Sequence, residues 1–298
     1  TANETVAASM MYFPMTGDMY VTPRKIQVEG DRIYVSVNYA GDVAELSWKG
    51  SYINVSDFMY MDNKNVGLFA MNKADFSEAK SIATVHNTET VSYNQYYAEA
   101  FDFTVENGTV YAGFIGFGNL TMQANGATND FKFNVAEDES GNKEHAFVLA
   151  TIGESVTTKV YHAANHDKDA KPYNLFMNVD GDNLFIGGTF YGELPFDNQK
   201  TTGELASAAF MASVKKADGT VNNTFVNGQE SGATCMTVDN ESAILSSTVK
   251  EVYLMNLETN EVATQGASTY ACIDAVEGIS KANVYCVETT VYVNGIFD

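Results

Sequence analysis

One motif recurs through this chain, and its recurrence limits the possible folds more than any other feature. It is clearest from Met177 to Gly192: Met-Asn-Val-Asp-Gly-Asp-Asn-Leu-Phe-Ile-Gly-Gly-Thr-Phe-Tyr-Gly. A short strand ends at Val179, Asp-Gly-Asp-Asn makes a tight turn, and a second strand starts at Leu184. Gly reaches positive φ without steric cost, so Asp-Gly between apolar alternations predicts a β-hairpin.

The same pattern is written at Ile26–Val35 and on to Gly41, at Phe103–Gly113, at Met236–Leu245 and at Tyr285–Phe297. An apolar strand ending in a polar turn follows four of the five copies: Gly67–Asp75, Ala146–Ala150, Ala209–Gly219 and Val252–Asn260. No chain remains after the fifth copy, yet the sequence opens with such a strand at Ala8–Gly17. The missing half of the last unit thus stands at the start. This predicts a closed ring in which the C-terminal hairpin pairs with the N-terminal strand, leaving only short, protected sheet edges.

Antiparallel units of about 60 residues repeated around an axis make a β-propeller. The expectation is an all-β fold with one domain over residues 1–298 and five four-stranded blades. The last blade would be shared between about 277–298 and 1–22. Six blades, with a further unit around 260–284, is the rival count, and a solenoid or β-sandwich is the rival fold. Composition agrees: 17 Tyr and 18 Phe suit pleated surfaces, while 4 Pro rarely interrupt them.

Asn183–Phe196, followed by Ala209–Lys215 and Asp218-Gly219, resembles the bacterial SBBP-type β-propeller repeat. Residues 32–41 with 67–75, 109–118 with 146–153, and 291–297 with 9–17 resemble it more loosely, so about half the chain takes part. The resemblance implies propeller blades and an exported bacterial protein, with no particular activity. The overall style is also similar to exported lipoproteins of Bacteroidetes.

Charge and cysteine exclude more than they assign. There are 38 acidic against 17 basic residues, a formal charge of −21, which repels nucleic-acid phosphates and anionic headgroups. The acids read first as solvated turns and edges, with calcium a possible cofactor and none otherwise expected. No apolar run reaches the about 18 residues that a membrane helix needs. Cys235, Cys272 and Cys286 lack metal-ligand spacing; Cys272 and Cys286 either pair across one blade or pack as small apolar residues. The chain begins Thr-Ala-Asn-Glu, so a removed signal peptide or a lipid-bearing Cys ahead of Thr1 is expected. The expected location is the bacterial cell surface, outer membrane or periplasm.

If a blade has strands a to d, the tight a–b and c–d turns share one end and the long b–c and d–a links share the other. Ligand residues usually stand on loops held by a rigid scaffold, which points to the long-link end. The first b–c link holds Trp48, Tyr52 and Tyr60, and the following d–a link holds His86 and Tyr96. The second pair of links holds His145, His162 and His166. Aromatic rings beside amides and carboxylates bind sugars or peptides by stacking and hydrogen bonding. The expected function is non-catalytic recognition of a glycan or protein partner through these eight residues, with Trp48 as the anchor. A glycan-processing hydrolase with a carboxylate pair is an alternative, although no nucleophile–base constellation is recognisable. An accessory subunit of an outer-membrane assembly is another. His162-Ala-Ala-Asn-His166 has an i, i+4 spacing, but extended or loop structure there would not bring both to one metal.

Overall fold

A computed structural model of the chain describes residues 10–14, 20–40, 43–48, 51–54, 65–75, 77–87, 97–133, 145–163, 174–190, 194, 196, 207–239, 241–249, 251–266, 279–287 and 290–297. All the regular elements among them are β-strands. In order they are β1 (Met10–Pro14), β2 (Tyr20–Glu29), β3 (Arg32–Ala40), β4 (Val43–Trp48), β5 (Ser51–Asn54), β6 (Asn65–Asn72) and β7 (Lys80–Asn87). Then come β8 (Tyr97–Glu106), β9 (Thr109–Phe117), β10 (Asn119–Ala124), β11 (Ala127–Lys132), β12 (His145–Ile152) and β13 (Val156–Ala163). The rest are β14 (Asn174–Asp180), β15 (Asn183–Phe190), β16 (Ala208–Lys215), β17 (Val221–Val226), β18 (Ala233–Asp239), β19 (Ser242–Ser247), β20 (Glu251–Asn256), β21 (Val262–Gly266), β22 (Ile279–Val287) and β23 (Thr290–Phe297).

The recurring motif forms a hairpin each time it is written. Its acidic residue closes the first four turns at one register: Glu29 opposite Arg32, Glu106 opposite Thr109, Asp180 opposite Asn183, and Asp239 opposite Ser242. The fifth closes one residue earlier in the motif, with Val287 opposite Thr290. Gly30 (φ +59°) and Gly181 (φ +52°) take the left-handed conformation the turn requires. Four-stranded antiparallel sheets follow in the orders β13-β12-β9-β8, β14-β15-β16-β17 and β18-β19-β20-β21. In each of these, the first strand of the motif stands at an edge.

The first repeat departs from this plan. Its sheet has six strands, in the order β11-β10-β7-β6-β3-β2. The two extra strands come from residues expected to be a plain b–c link of the second repeat. Asn125 (φ 44°) and Gly126 (φ 78°) close them into a hairpin, because both central residues of a type I′ turn need positive φ. Leu120, Met122 and Phe131 give that hairpin an apolar face. Phe131 packs edge-on to Phe114 at 5.9 Å, and Gly116 has no Cβ to collide with Leu120 and Phe133.

The expectation for the N-terminal strand also needs correction. β1 pairs with β4, Met10 opposite Trp48, in the sheet β1-β4-β5, and β22-β23 is a two-stranded sheet. The link between 41 and 64, expected as loop, therefore carries β4 and β5. Loop-closure entropy favours such a nearby partner over a remote one.

The chain divides into two compact units. Thr1–Val135 with Ala150–Thr158 forms the first, and Ala136–Leu149 with Lys159–Asp298 the second. Inside each, side chains from one edge strand bond the next edge strand. In the first unit, Gln27 Nε2 donates to the Val105 carbonyl at 3.0 Å, and Val105 N donates back to Gln27 Oε1 at 3.2 Å. Lys25 Nζ bonds Asp102 at 3.0 Å and the Phe103 carbonyl at 2.7 Å. In the second unit, Asn174 Nδ2 donates to the Ala233 carbonyl at 2.5 Å, and Asn178, which matches Gln27 in the motif, donates to Met236 O at 3.4 Å. The second unit's core gathers Phe185, Met211, Met236, Leu245 and Tyr253. Gly187 makes room for Met236 and Leu245 there.

Candidate functional site

Main-chain hydrogen bonds tie the c–d turns to the a–b turns at one end of three sheets. Lys73 N donates to Asp31 O at 2.7 Å, Lys216 N to Asp182 O at 2.9 Å and Leu257 N to Glu241 O at 3.0 Å. The side chains here are occupied in building the turns. Asn72 Oδ1 accepts from Ala74 N, Asn256 Oδ1 accepts from Glu258 N and Thr259 N, and Asp218 Oδ1 accepts from Thr220 N at 2.8 Å. The bonds from Thr220 hold the Asp218 carboxyl below its ordinary pKa. Among the described residues no cluster of three or more His, Cys, Asp or Glu stands where it could hold a metal ion.

The opposite end, where the longer links join, carries the candidate site. A level row of polar residues crosses the six-stranded sheet there. Tyr39 on β3 stands opposite Asn65 on β6. Asn65 lies one position beyond the Val66–Val85 pair, level with His86 on β7. His86 stands opposite Thr121 on β10, and Thr121 opposite Asp130 on β11. Directly opposed residues share a face and stand about 4.8 Å apart across each strand pair. Four members of the row are buried, at 1% exposure for Tyr39, 2% for Asn65, 4% for His86 and 6% for Thr121, while Asp130 is exposed. Thr121 Oγ1 donates to Asp130 Oδ1 at 2.6 Å, which orients the carboxylate. Burial pushes the Tyr39 phenol well above its ordinary pKa, so it stays protonated as a donor. At the matching positions in the third repeat stand Phe190 and Ala208, which are apolar and opposite one another. The polar pair Tyr39–Asn65 is thus not a fixed part of the repeat.

A second polar cluster lies at the corresponding end in the second unit. Tyr253 donates to Glu251 Oε2 at 2.7 Å, and Gln229 Nε2 donates to Glu251 Oε1 at 3.0 Å. Ser247 Oγ donates to the Glu251 carbonyl at 3.0 Å, closing the short β19–β20 link.

Of the eight expected ligand residues, His86 belongs to the row, but not as a loop residue. It is buried within β7, because the β10–β11 hairpin adds to that strand and covers the edge where a link was expected to begin. Trp48 and Tyr52 are strand residues in β4 and β5, also contrary to expectation. Trp48 pairs with Ser51 and Tyr52 with Ser47, so their positions belong to opposite faces of that sheet. His145 is the first residue of β12, and His162 is exposed on β13. Tyr60, Tyr96 and His166 lie outside the described residues, as does Cys272. Cys235 Sγ stands 2.9 Å from Ser246 Oγ. Sequence reasoning does not bring Thr121 and Asp130 level with His86. Asn125-Gly126 between Leu-x-Met and Phe, a strong hairpin signal, was the feature that reveals them.

No protein-family model matches the chain, and no curated protein sequence matches it. Among solved structures, Saccharomyces cerevisiae Sqt1 is similar at a TM-score of 0.36 and 12% identity, over 90% of this chain and 79% of that one. BamB from Moraxella catarrhalis is similar at a TM-score of 0.28 and 9% identity, over 96% of this chain and 97% of that one.

Proposed function

We propose that this chain is a five-bladed β-propeller of the bacterial envelope, exported and acting without catalysis, which recognises a glycan or protein partner at its long-link end. One observation carries the reading. The turn end is tied up by its own hydrogen bonds, from Lys73 to Asp31, Lys216 to Asp182 and Leu257 to Glu241. In the six-stranded sheet the buried polar row sits at the end away from the Lys73–Asp31 bond. Rigid sheets that hold variable links on one side are the usual arrangement for recognition. A glycan array, followed by titration of hits against Trp fluorescence, tests the reading. A hit that quenches or enhances the single Trp, and whose affinity measured by calorimetry falls in Trp48→Phe, is the expected outcome. An array without hits, together with release of reducing sugar from a polysaccharide, favours the hydrolase instead.

A separate observation favours a protein partner as the second reading, that of an accessory subunit in an outer-membrane assembly. Ile26 is 65% exposed and Val28 49% exposed on the edge strand β2, while the residues matching Ile26 in the next three repeats, Phe103, Met177 and Met236, are at most 6% exposed. Exposed apolar residues on a strand edge invite a further strand. Ile26→Asp is expected to abolish co-purification with such a partner and leave glycan binding intact.

A further inference from the structure

We infer that the exposed polar face of the β10–β11 hairpin, at the edge of the six-stranded sheet, binds a neutral saccharide chain. This rests on the reading of the protein as a ligand-binding scaffold and replaces the expected loop aromatics with a sheet face as the contact surface.

The β10–β11 hairpin is two-faced. On one side the opposed pairs are Leu120–Phe131, Met122–Asn129 and Ala124–Ala127, and Leu120 and Phe131 are buried. On the other they are Asn119–Lys132, Thr121–Asp130 and Gln123–Thr128. Core packing of the first side fixes the direction of the second. Gln123, Thr128, Asp130 and Lys132 are exposed there. The polar character continues inward onto β7, where His86 and Thr84 lie opposite Thr121 and Gln123 at 4% and 6% exposure. Burying polar groups costs free energy unless they are hydrogen-bonded, so such a set is informative about its role.

The chemistry of the face selects the ligand class. Asp130 and Lys132 cancel, so the patch is neutral on a chain with a formal charge of −21. It does not attract cations in the way the rest of the surface does, and it offers no basic cluster for an anion. Its hydroxyls, carboxamides and one oriented carboxylate are donors and acceptors side by side, which matches sugar hydroxyls that donate and accept at once. Strand spacing of about 4.8 Å and a same-face repeat of about 6.7 Å along each strand spread these groups into a flat grid, suited to an extended chain.

Affinity electrophoresis of the full chain through gels holding soluble β-glucan, starch, galactomannan or the anionic alginate tests this. Wild type is expected to be retarded by at least one neutral polymer. Asp130→Ala and the double variant Gln123→Ala/Thr128→Ala should each weaken that retardation about tenfold or more, the scale of losing a hydrogen bond to a charged group. Asp218→Asn, at the turn end, should bind as wild type does. All the sites changed on this face are exposed, and unchanged thermal midpoints will show that the variants are folded. Wild-type binding that both variants keep overturns the site while the glycan-binding reading stands. Retardation by alginate alone overturns the neutral ligand class. No retardation by any polymer, with no hit on the glycan array, overturns the reading and the site together.

Discussion

Tyr253 shows how a single buried group sets a pH limit. Its ring is 1% exposed and its hydroxyl donates to Glu251. Burial, and then the neighbouring carboxylate, push the phenol up to about 12. An unfolded tyrosine titrates near about 10, so between these values the native state holds more protons than the unfolded one. The stabilisation is complete below about pH 10 and is lost as pH rises toward about 12. Burial raises Tyr39 and Tyr161 in the same direction. Urea midpoints measured across the alkaline range should therefore fall steeply, together with the appearance of tyrosinate absorbance, and Tyr253→Phe should remove part of that slope. Gly188 sets a steric limit in the same way. A Cβ there would press on the main-chain oxygen of Asn174, whose side chain bonds both Thr189 and Ala233. Gly188→Ala is expected to destabilise the fold by about 1–3 kcal/mol in urea unfolding, because backbone cannot yield as a side chain can.

At the scale of elements, edge strands are the recurrent problem and side-chain amides are one solution. Gln27 presents to Val105 a donor and an acceptor, which is what a paired strand would present. Gln27→Ala should cost roughly 1–3 kcal/mol and speed hydrogen exchange at the Val105 amide. Gln27→Glu keeps the acceptor and loses the donor, so it should fall between. The hairpins themselves were legible, since acidic turn residues and a period of two are local signals. The β10–β11 hairpin was written just as locally, in Asn125-Gly126, but its alternation lay inside a stretch assigned to a link. Its attachment to β7 was not legible. Lateral pairing uses main-chain groups that are the same at every residue, so nothing in the side chains of β7 names β10 as its neighbour.

Over the whole molecule, charge is the clearest lever. With a formal charge of −21 the folded chain repels itself, and this repulsion is screened by salt. Raising ionic strength from about 0.01 M to about 0.15 M shortens the screening length from about 30 Å to about 8 Å. The thermal midpoint should rise over that range with sodium chloride, and it should rise without calcium if general screening, not a specific site, is responsible.

Sequence by itself determined five hairpins and the turn residues that close them, because φ preferences and face alternation act between neighbours. It also determined that the chain is made of antiparallel β-structure. Only the tertiary structure decided which hairpins join sideways, that β1 lies against β4, and that Tyr39, Asn65, His86, Thr121 and Asp130 stand level on one sheet. Those five come from five strands, and of these only β10 and β11 are joined by a tight turn. What aligns them is register between strands, and register is set by main-chain pairing and by which face finds a core.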